Sequence, residues 1–383
     1  MPKLELIATA TFGLEAVIKR EIENLGYKIL KVEDSKMTYL GDESAIVRSN
    51  LWLRCADRVL LKMGEFPVYS FEELYQQTKA LPWEEWIPLD GKFTVNGSSV
   101  KSKLYSVPDC QSIVKKAIVD RLKEFYQCEW FSETGAEFTT KVTILKDIAT
   151  LTIDTSGPGL HKRGYRVKDV FAPIKETLAS ALVQLSFWKP DRILVDPFCG
   201  SGTIPIEAAM LAKKIAPGLN RKFASEEWPG IPAELWKKFR KEAYDSIDYN
   251  LSLQIIASDI DSKAIAAAKE NALEAGVDDC IEFKVMPVSE LKITQPYGII
   301  ICNPPYGERI GEKENLNLIY QDLKNLLQNE KTWSLYLITS DKNFETVFSQ
   351  KPADRRRKLY NGRIEVTYYQ YFGEKPAKTE KNY

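Results

Sequence analysis

The stretch Asp196-Pro197-Phe198-Cys199-Gly200-Ser201-Gly202-Thr203, which follows the apolar run Ile193-Leu194-Val195, decides the fold. A short run of branched aliphatic residues that ends in a carboxylate and a glycine-rich turn predicts a buried strand leading into a helix. Two glycines two positions apart allow the backbone to approach a ligand where a Cβ atom would collide. The N–H groups at the helix start favour a negatively charged or carbonyl-bearing partner. The stretch therefore predicts an adenosine-type cofactor on a doubly wound α/β sheet.

This turn differs from two common nucleotide-binding turns. Thr203 and Ile204 follow the second glycine, so the pattern is not Gly-x-Gly-x-x-Gly, and the Gly-Lys-Ser/Thr of a P-loop does not occur. The carboxylate of Asp196 suits a cationic amino-acid moiety better than a pyrophosphate. The octet resembles the first cofactor motif of the S-adenosylmethionine-dependent methyltransferases that methylate amino groups. For the octet alone, a structural turn without a ligand remains the alternative.

Composition and charge restrict the class of protein. The chain has 383 residues, enough for two or three domains, and its 44% hydrophobic and 28% charged residues are typical of a globular protein. Long apolar runs and a signal-peptide layout are both lacking, which predicts a cytoplasmic protein without a membrane partner. The six cysteines are scattered and there is one histidine, so we expect neither a disulfide framework nor a metal site.

The charge balance is uneven along the chain. A formal net charge of zero is unusual for a nucleic-acid-binding protein. Residues 101–123, however, hold six basic and two acidic side chains, and Arg355-Arg356-Arg357-Lys358 forms a second basic cluster. Each cluster is either a solvated face or a local contact surface for RNA.

The N-terminal part of the chain predicts two α+β domains, over residues 1–65 and 66–156. In the second domain, a Phe-x-Val strand, the turn Ser102-Lys103-Leu104-Tyr105-Ser106 and the helix start Gln111–Lys116 resemble a THUMP domain. That module is an RNA-binding companion of RNA-modifying enzymes, and a purely structural α+β domain is the alternative. The resemblance implies the following RNA-binding lysines: Lys101, Lys103, Lys115 and Lys116.

A connector rich in glycine and basic residues opens the third predicted domain, over residues 157–383. Its sequence Leu-His-Lys-Arg-Gly-Tyr-Arg, followed by Ala-Pro-Ile-Lys-Glu-Thr-Leu-Ala, is similar to the beginning of the catalytic domain of the 23S ribosomal RNA guanine-N2 methyltransferases and their Gram-positive relatives. Lys162, Arg163 and Arg166 either contact phosphates or tie the connector to an acidic surface. We count Lys162 and Arg163 among the predicted RNA-binding residues.

A second predicted strand, Leu253–Asp259, also ends in an aspartate. Before it, residues 217–250 interrupt the alternation of strands and helices. Open α/β sheets bind ligands at the carboxyl ends of strands, so Asp259 suits a ribose diol, and Asp261 is predicted to cap the next helix. The aromatic-rich interruption is expected to be an inserted helical element that caps the site, with aromatic residues that pack in the core rather than stack on bases. The resemblance implies a cofactor-binding set of Asp196, Phe198, Cys199, Gly200, Ser201, Gly202, Thr203, Asp259 and Ile260.

Recognition of the cofactor adenine is the least defined part of this set. Related enzymes often carry an aspartate where this chain has Met286-Pro287. A backbone carbonyl or Ser289 is the substitute that the sequence offers.

The tetrad Asn303-Pro304-Pro305-Tyr306 follows the strand-like run Tyr297–Cys302. An exocyclic base amine is a poor nucleophile because its lone pair is delocalised into the ring. The Asn303 side-chain oxygen and the Pro304 carbonyl would accept its hydrogens and draw the nitrogen toward tetrahedral geometry. The prolines would keep that carbonyl directed inward, and Tyr306 would stack on a base withdrawn from its helix. Catalytic roles are therefore assigned to Asn303, Pro304, Pro305 and Tyr306.

This region allows two other interpretations. Asn-Pro and Pro-Pro also mark ordinary turns, but here the tetrad lies 44 residues after Asp259, at the spacing of another strand tip. Cys302 would suit a thiolate mechanism at cytosine C5 only if it followed a proline in the loop, so we interpret it as a core residue. The following Gly307-Glu308-Arg309 continues the family pattern, and Arg309 is predicted to reach RNA.

The resemblance spans nearly the whole chain. It implies a Rossmann-like class I methyltransferase sheet with a C-terminal antiparallel hairpin, preceded by ferredoxin-like and THUMP domains. The expected activity is S-adenosylmethionine-dependent methylation of an exocyclic amine in RNA, with guanine N2 of 23S ribosomal RNA as the first choice. The alternatives are an adenine-N6 methyltransferase acting on RNA or DNA, and a non-catalytic RNA-binding protein with a vestigial cofactor fold. The expected methyl transfer depends on whether Gly200 and Asn303 meet at one edge of the sheet.

Overall fold

The computed structural model describes residues 3–167, 173–306, 312–348 and 351–375, except the side chains of residues 312–315. Two compact units result. The first comprises Met1–Ala10, Ile18–Leu160 and Arg221–Ala243, and the second comprises Thr11–Val17, His161–Asn220 and Tyr244–Tyr383. None of the described helices is both long enough and apolar enough to cross a membrane.

The first unit contains one sheet of seven strands in the order β2-β3-β1-β4-β7-β6-β5. All of its neighbouring strands are antiparallel except the parallel pair of β5 and β6. The elements up to the connector are β1 (Leu4–Thr9), α1 (Glu15–Asn24), β2 (Lys28–Glu33), β3 (Lys36–Gly41), α2 (Glu43–Trp52), β4 (Arg58–Pro67), α3 (Phe71–Lys79), β5 (Lys92–Val100), α4 (Val107–Tyr126), β6 (Glu137–Leu145) and β7 (Ile148–Asp154).

Strand β4 joins the two predicted N-terminal domains into this single sheet. It pairs with β1 on one side, where Leu61 lies opposite Leu6, and with β7 on the other, where Leu61 lies opposite Ile153. Side chains of β6 alternate between buried and less buried positions, as expected for a strand with one face on the core. The predicted boundary near residue 65 therefore falls inside a strand that both halves of the sheet share.

The second unit contains the predicted α/β sheet, in the order β10-β9-β8-β11-β12-β14-β13. Strands β10, β9, β8, β11 and β12 are parallel, and β14 and β13 form the predicted antiparallel hairpin. The remaining elements are α5 (Glu176–Leu185), β8 (Leu194–Asp196), α6 (Thr203–Ala212), α7 (Ala233–Asp245), β9 (Ile255–Asp259), α8 (Ser262–Glu274), β10 (Ile281–Val285), β11 (Ile299–Cys302), α9 (Glu312–Leu327), β12 (Ser334–Thr339), α10 (Phe344–Phe348), β13 (Arg355–Asn361) and β14 (Ile364–Tyr371).

The central strand of this sheet is buried on both faces, as parallel strands between helical layers are. All four residues of β11 are fully buried. Helices α6 and α8 contact β9 and β10, while α9 contributes Leu316, Tyr320 and Leu323 to a core cluster that also contains Ile300. The register of the central strands is thus fixed by packing from both sides, and their carboxyl ends are held in place.

The inserted segment at residues 221–243 lies in the first unit. Its Trp228 ring stacks on Phe138 with centroids 4.8 Å apart, and the indole N–H donates to the Glu137 carbonyl at 3.1 Å. Trp236 is also buried. Trp228 and Trp236 are therefore core residues, as expected, and Trp228 supports the THUMP-type strands. The expectation that this element caps the site stays a prediction.

Candidate functional site

Three neighbouring strands of the second unit end at the same edge of the sheet. Strand β8 ends at Asp196 and lies between β9, which ends at Asp259, and β11, which leads into Asn303. The turn after β8 is bonded to the tip of β9, because the Gly200 N–H donates to Asp259 Oδ2 at 3.0 Å. The Cys199 N–H likewise donates to the Ser258 carbonyl at 3.0 Å. Gly200 and Asn303 therefore follow adjacent strands at the same sheet edge.

The two glycines of the turn have different roles. Both have a left-handed backbone, with φ of +51° at Gly200 and +82° at Gly202, which favours glycine. A Cβ atom on Gly202 would lie 3.1 Å from the Cβ atom of Ala268 on α8. Gly202 is thus required for the close approach of α6 and α8, while Gly200 is the half-buried glycine that faces the strand tips.

Ser201 and Thr203 are buried, and their hydroxyl groups are bound by the connector. The Arg166 guanidinium donates to Ser201 Oγ at 3.0 Å and to Thr203 Oγ1 at 2.9 Å. It also donates to Glu176 Oε1 at 2.7 Å and to the Ile174 carbonyl at 3.2 Å. Arg166 thus holds the turn through these two hydroxyls, and the cofactor-binding roles of Ser201 and Thr203 stay predictions.

Asn271 is a member of this arrangement that sequence reasoning missed. Its Nδ2 donates to the Ser201 carbonyl at 3.1 Å, and its Oδ1 accepts from the Val167 N–H at 3.0 Å. The available signal was its position, because Asn271 lies on the buried face of α8 together with Ala264 and Ala268. A polar residue among buried alanines indicates a hydrogen-bonding role.

Arg163 is a structural residue, which corrects its prediction as an RNA contact. Its side chain is 3% exposed, and its Nε lies 3.3 Å from Oε1 of the fully buried Glu207. The Tyr165 hydroxyl donates to the same oxygen at 3.2 Å. Lys162, by contrast, is exposed. Of the two interpretations left open for the connector, Arg163 and Arg166 follow the one in which they tie it to acidic side chains.

Asp196 is the most deeply buried carboxyl of the site, with 1% exposure. Its Oδ1 accepts from the Phe198 N–H at 3.2 Å. Burial raises the pKa of Asp196 well above its usual range; the Phe198 N–H opposes this, and the negative charge of Asp259 adds to it. A cationic partner would relieve this cost, since an opposite charge favours the carboxylate.

The tip of β9 fits an adenosine-type ligand. Both carboxylate oxygens of Asp259 accept hydrogen bonds at 3.0 Å, Oδ2 from the Gly200 N–H and Oδ1 from the Asp261 N–H. Each oxygen keeps a lone pair that a hydroxyl group can use. Ile260 beside it is 75% exposed, and Phe198 is half-buried. Asp261 caps α8 through the Lys263 N–H at 2.8 Å, as predicted.

The adenine end of the site has a defined backbone geometry. The Met286 N–H donates to the Asp259 carbonyl at 3.0 Å, so this bond fixes the chain just after β10. Met286 is half-buried and Ser289 is exposed. Both substitutes that the sequence offered for the missing aspartate remain predictions.

The tetrad contains a buried acceptor without a partner. Oδ1 of Asn303 has essentially no exposed surface and no hydrogen-bond partner among the described residues. Leaving such an acceptor unpaired costs about 1–3 kcal/mol, so its retention calls for an explanation such as a missing ligand. Pro304 is buried, Pro305 is exposed and Tyr306 is half-buried. Asn303 therefore presents an acceptor at the edge where Asp196 and Asp259 lie.

Cys302 is a core residue, as interpreted from the sequence. It is fully buried, and burial raises the pKa of its thiol well above the usual range, with the Asp196 charge adding to the effect. A thiolate is the nucleophilic form of cysteine. The neutral Cys302 thiol therefore does not suit a thiolate mechanism.

The predicted RNA-binding lysines of the first unit are exposed, and three of them lie near different aromatic rings. Lys103 Nζ lies 4.9 Å from the centre of the Tyr69 ring and Lys116 Nζ lies 5.5 Å from that of Tyr75. Lys115 instead lies near β5, with its Nζ 5.9 Å from the Phe93 ring centre. In the described part of the chain, no carboxylate pairs with the side-chain ammonium group of any of the four, Lys101, Lys103, Lys115 and Lys116.

Other basic residues of the same region are neutralised. Arg121 pairs with Glu84, and Lys123 Nζ lies 3.0 Å from Glu129 Oε2. Arg309 lies outside the described residues.

A cavity of about 690 Å³ is present in the second unit, but Gln254, Ile255 and Ile281 place it at the amino ends of β9 and β10, away from the strand tips. Among the described residues, no three His, Cys, Asp or Glu side chains gather as metal ligands would.

Similarity to known proteins covers each part of this architecture. Residues 5–60 match the ferredoxin-like domain of RlmL, residues 68–154 match the THUMP domain, and residues 163–370 match the RMKL-like methyltransferase domain. The chain is also 51% identical to the Bacillus subtilis (strain 168) protein named "Putative RNA methyltransferase YpsC", over 98% of this chain and 97% of that protein.

The chain belongs to the THUMP-containing RlmL-like methyltransferases.

Two solved structures extend the similarity of this RlmL-like chain. One, from Listeria monocytogenes str. 4b F2365, is described as a "predicted N6-adenine-specific DNA methylase". It is 51% identical with a TM-score of 0.93, over 98% of this chain and 97% of that one. The other is "SMU.472, a putative methyltransferase complexed with SAH", 43% identical with a TM-score of 0.93, over 98% of this chain and 100% of that one. The predicted order of domains, ferredoxin-like, THUMP and methyltransferase sheet, is confirmed.

Proposed function

We propose that this RlmL-like chain transfers a methyl group from S-adenosylmethionine to the exocyclic amine of a base in RNA, at guanine N2 of 23S ribosomal RNA. The observation that supports it most is the buried Oδ1 of Asn303, which has no hydrogen-bond partner among the described residues. It lies at the sheet edge where two strands end in aspartates, Asp196 and Asp259. A buried acceptor without a hydrogen-bond partner in the protein suits a donor that the substrate supplies. An exocyclic amine is such a donor.

S-adenosylmethionine is the cofactor that fits the strand tips. Asp196 would pair with the ammonium group of its amino-acid moiety, Asp259 would bind the ribose diol, and Ile260 would pack on the adenine. When bound, the cofactor supplies an electrophilic methyl group on a sulfonium centre. The structure of the 43% identical protein in complex with SAH supports S-adenosylmethionine as the cofactor.

The chain's own residues act mainly by alignment. The amine donates two hydrogen bonds, one to Asn303 Oδ1 and one to the Pro304 carbonyl. These bonds localise the lone pair on the nitrogen and direct it outward. Pro304 and Pro305 restrict the backbone so that this carbonyl keeps its direction. Tyr306 stacks on the extruded base. Correct alignment of nucleophile and methyl group contributes much of the rate enhancement in such reactions.

Methylation assays on matched substrates test the proposal. The THUMP domain favours RNA, whereas the Listeria protein is described as acting on adenine N6 in DNA. We expect label from S-adenosylmethionine to enter a 23S ribosomal RNA transcript and not a DNA duplex of the same sequence. Transfer to the duplex alone would favour the adenine-N6 DNA alternative. Absence of both transfer and cofactor binding would favour the non-catalytic alternative.

Charge reversal at Lys103 and Lys116 should weaken RNA binding and reduce its salt dependence. Each lost phosphate contact lowers the slope of log K against log salt by about 0.7 for single-stranded RNA. Lys123→Glu is the matched control, because Lys123 is already paired with Glu129. Filter binding at several salt concentrations measures the slopes. Equal slopes for Lys103→Glu, Lys116→Glu and the control would remove these lysines from the interface.

Cofactor affinity should rise with pH because of Asp196. Burial raises its pKa, so below the raised value the free protein holds a proton that the cofactor ammonium must displace. The dissociation constant should fall as pH increases above the ordinary aspartate pKa of about 3.9, with proton release, until the free carboxyl is ionised. Calorimetry in buffers of different ionisation enthalpy measures the released proton. The Asp196→Asn variant should bind weakly and without this pH dependence, and a pH-independent wild type would contradict the role.

A further inference from the structure

The β13–β14 hairpin extends past the carboxyl edge of the catalytic sheet. Strand β14 is antiparallel to β12, and Thr367 lies opposite Thr339, the last residue of β12. Ile364, where β14 begins, precedes Thr367 by three residues, which carries the hairpin tip about 10 Å beyond the end of β12. Ligands of open α/β sheets bind at this edge. The tip therefore stands on the substrate side of the sheet.

The hairpin tip contacts the tetrad. Asn361 Nδ2 donates to the Tyr306 hydroxyl oxygen at 3.4 Å. Because β12 lies between β11 and β14, the loop that leaves β11 crosses the end of β12 to make this contact. The tip is consequently a wall of the space in front of Asn303, on the side opposite the cofactor turn after β8.

A loop from the N-terminal region completes this wall. Thr11–Val17 groups with the second unit. A Cβ atom on Gly13 would lie 2.7 Å from the Lys358 carbonyl oxygen, so glycine with φ of +91° permits the close approach to β13. The Phe12 ring meets Tyr360 edge-to-face, with centroids 6.1 Å apart, and remains 43% exposed. An exposed aromatic ring is thus held beside Tyr360, next to the residue that contacts the tetrad.

The charge at the tip is positive. Arg363 is exposed in the two-residue turn after Asn361 and forms no ion pair with any described residue. Glu365, the nearest acidic residue in the hairpin, is neutralised by Lys358, whose Nζ lies 2.6 Å from its Oε2. Basic residues on an edge strand also prevent sheet association, but Arg363 is in the turn and not on that edge.

We propose that Phe12, Tyr360, Asn361 and Arg363, here called the hairpin wall, bind the RNA nucleotide that flanks the target base. The proposal rests on the proposed function. A base withdrawn from its stack leaves its neighbour without a stacking partner. Phe12 offers that neighbour an aromatic face, and Arg363 contacts the adjoining phosphate. The ligand is a single-stranded RNA segment next to the modified base, so part of its recognition comes from the chain's first loop.

Two variants and two matched controls test the hairpin wall. The variants are Phe12→Ala and Arg363→Glu. The controls in the same unit are Leu273→Ala, at a 63% exposed apolar residue of α8, and Lys292→Glu, at an exposed lysine. Binding to a 23S ribosomal RNA transcript is measured in the presence of S-adenosylhomocysteine, which separates it from turnover. Each variant should raise the RNA dissociation constant and the KM for RNA about tenfold. S-adenosylhomocysteine affinity should stay within about twofold, and the controls should behave as wild type.

The outcomes separate this inference from the proposed function. Methylation by the wild type together with control-like RNA binding by both variants would overturn the hairpin wall alone. RNA binding that depends on Phe12 and Arg363, without methyl transfer to the transcript, would support the wall and contradict the proposed function. Failure of the wild-type protein to bind the transcript would also contradict the proposed RNA-binding role of the hairpin wall.

Discussion

Replacement of Asn303 by alanine should nearly abolish methyl transfer while cofactor affinity stays within a few-fold of wild type. The side chain contributes the buried Oδ1, which has no partner among the described residues and no structural bond to lose. Removing one preorganised hydrogen-bonding group from an active site typically costs about 10²–10³ in kcat, and we expect a loss at the upper end of that range. Single-turnover kinetics with labelled S-adenosylmethionine measure the chemical step.

The Asn303→Asp variant is the informative control. It keeps an acceptor oxygen at nearly the same position, so it should retain more activity than Asn303→Ala. Thermal unfolding of both variants would check that the sheet is intact. Full activity of Asn303→Ala would remove the mechanism, and equal losses in both variants with unchanged folding would remove the acceptor role of Oδ1.

Replacement of Arg163 by alanine should destabilise the methyltransferase unit by about 3–5 kcal/mol, because it leaves Glu207 buried without its cation. Glu207 is fully buried and its Oε1 lies 3.3 Å from Arg163 Nε. Denaturant unfolding, together with hydrogen exchange in α6, measures the loss. Lys162→Ala, at the exposed neighbour, should stay within about 0.5 kcal/mol of wild type.

A double variant separates the structural role of Arg163 from a role in RNA binding. Arg163→Met combined with Glu207→Leu removes both buried charges and should recover much of the lost stability, since apolar replacements of buried ion pairs are often neutral. RNA binding by the double variant should equal that of wild type. Wild-type stability of Arg163→Ala together with weakened RNA binding would restore the sequence-based prediction that Arg163 contacts RNA.

Local sequence patterns predicted the elements that carry the site. The acid-tipped runs ending at Asp196 and Asp259 became β8 and β9, and Asp261 caps α8 as its type and position indicate. The C-terminal hairpin implied by the resemblance turns at Asn361-Gly362, a dipeptide that favours such turns, with Gly362 at φ of +64°. These features depend on backbone preferences within a few residues. For that reason they can be read from one sequence.

The partners of polar side chains could not be predicted in the same way. Arg166 binds Ser201 and Thr203 across some 35 residues of chain, and Asn271 bonds to Ser201 from another helix. Sequence shows that a side chain is polar, but tertiary packing decides which buried partner it meets. The same holds for Trp228, whose contact with Phe138 places the inserted segment on THUMP-type strands.

Nucleoside analysis of the methylated RNA tests the central claim most directly. A 23S ribosomal RNA transcript, incubated with the purified chain and labelled S-adenosylmethionine, would be digested to nucleosides and analysed by mass spectrometry. The proposed roles of Asn303 and Pro304 predict label on an exocyclic base amine, and the resemblance to the guanine-N2 methyltransferases predicts that the product is N2-methylguanosine. This label should be lost in the Asn303→Ala variant. Label in 5-methylcytidine, or in any product that the Asn303→Ala variant forms at the wild-type rate, would contradict the account.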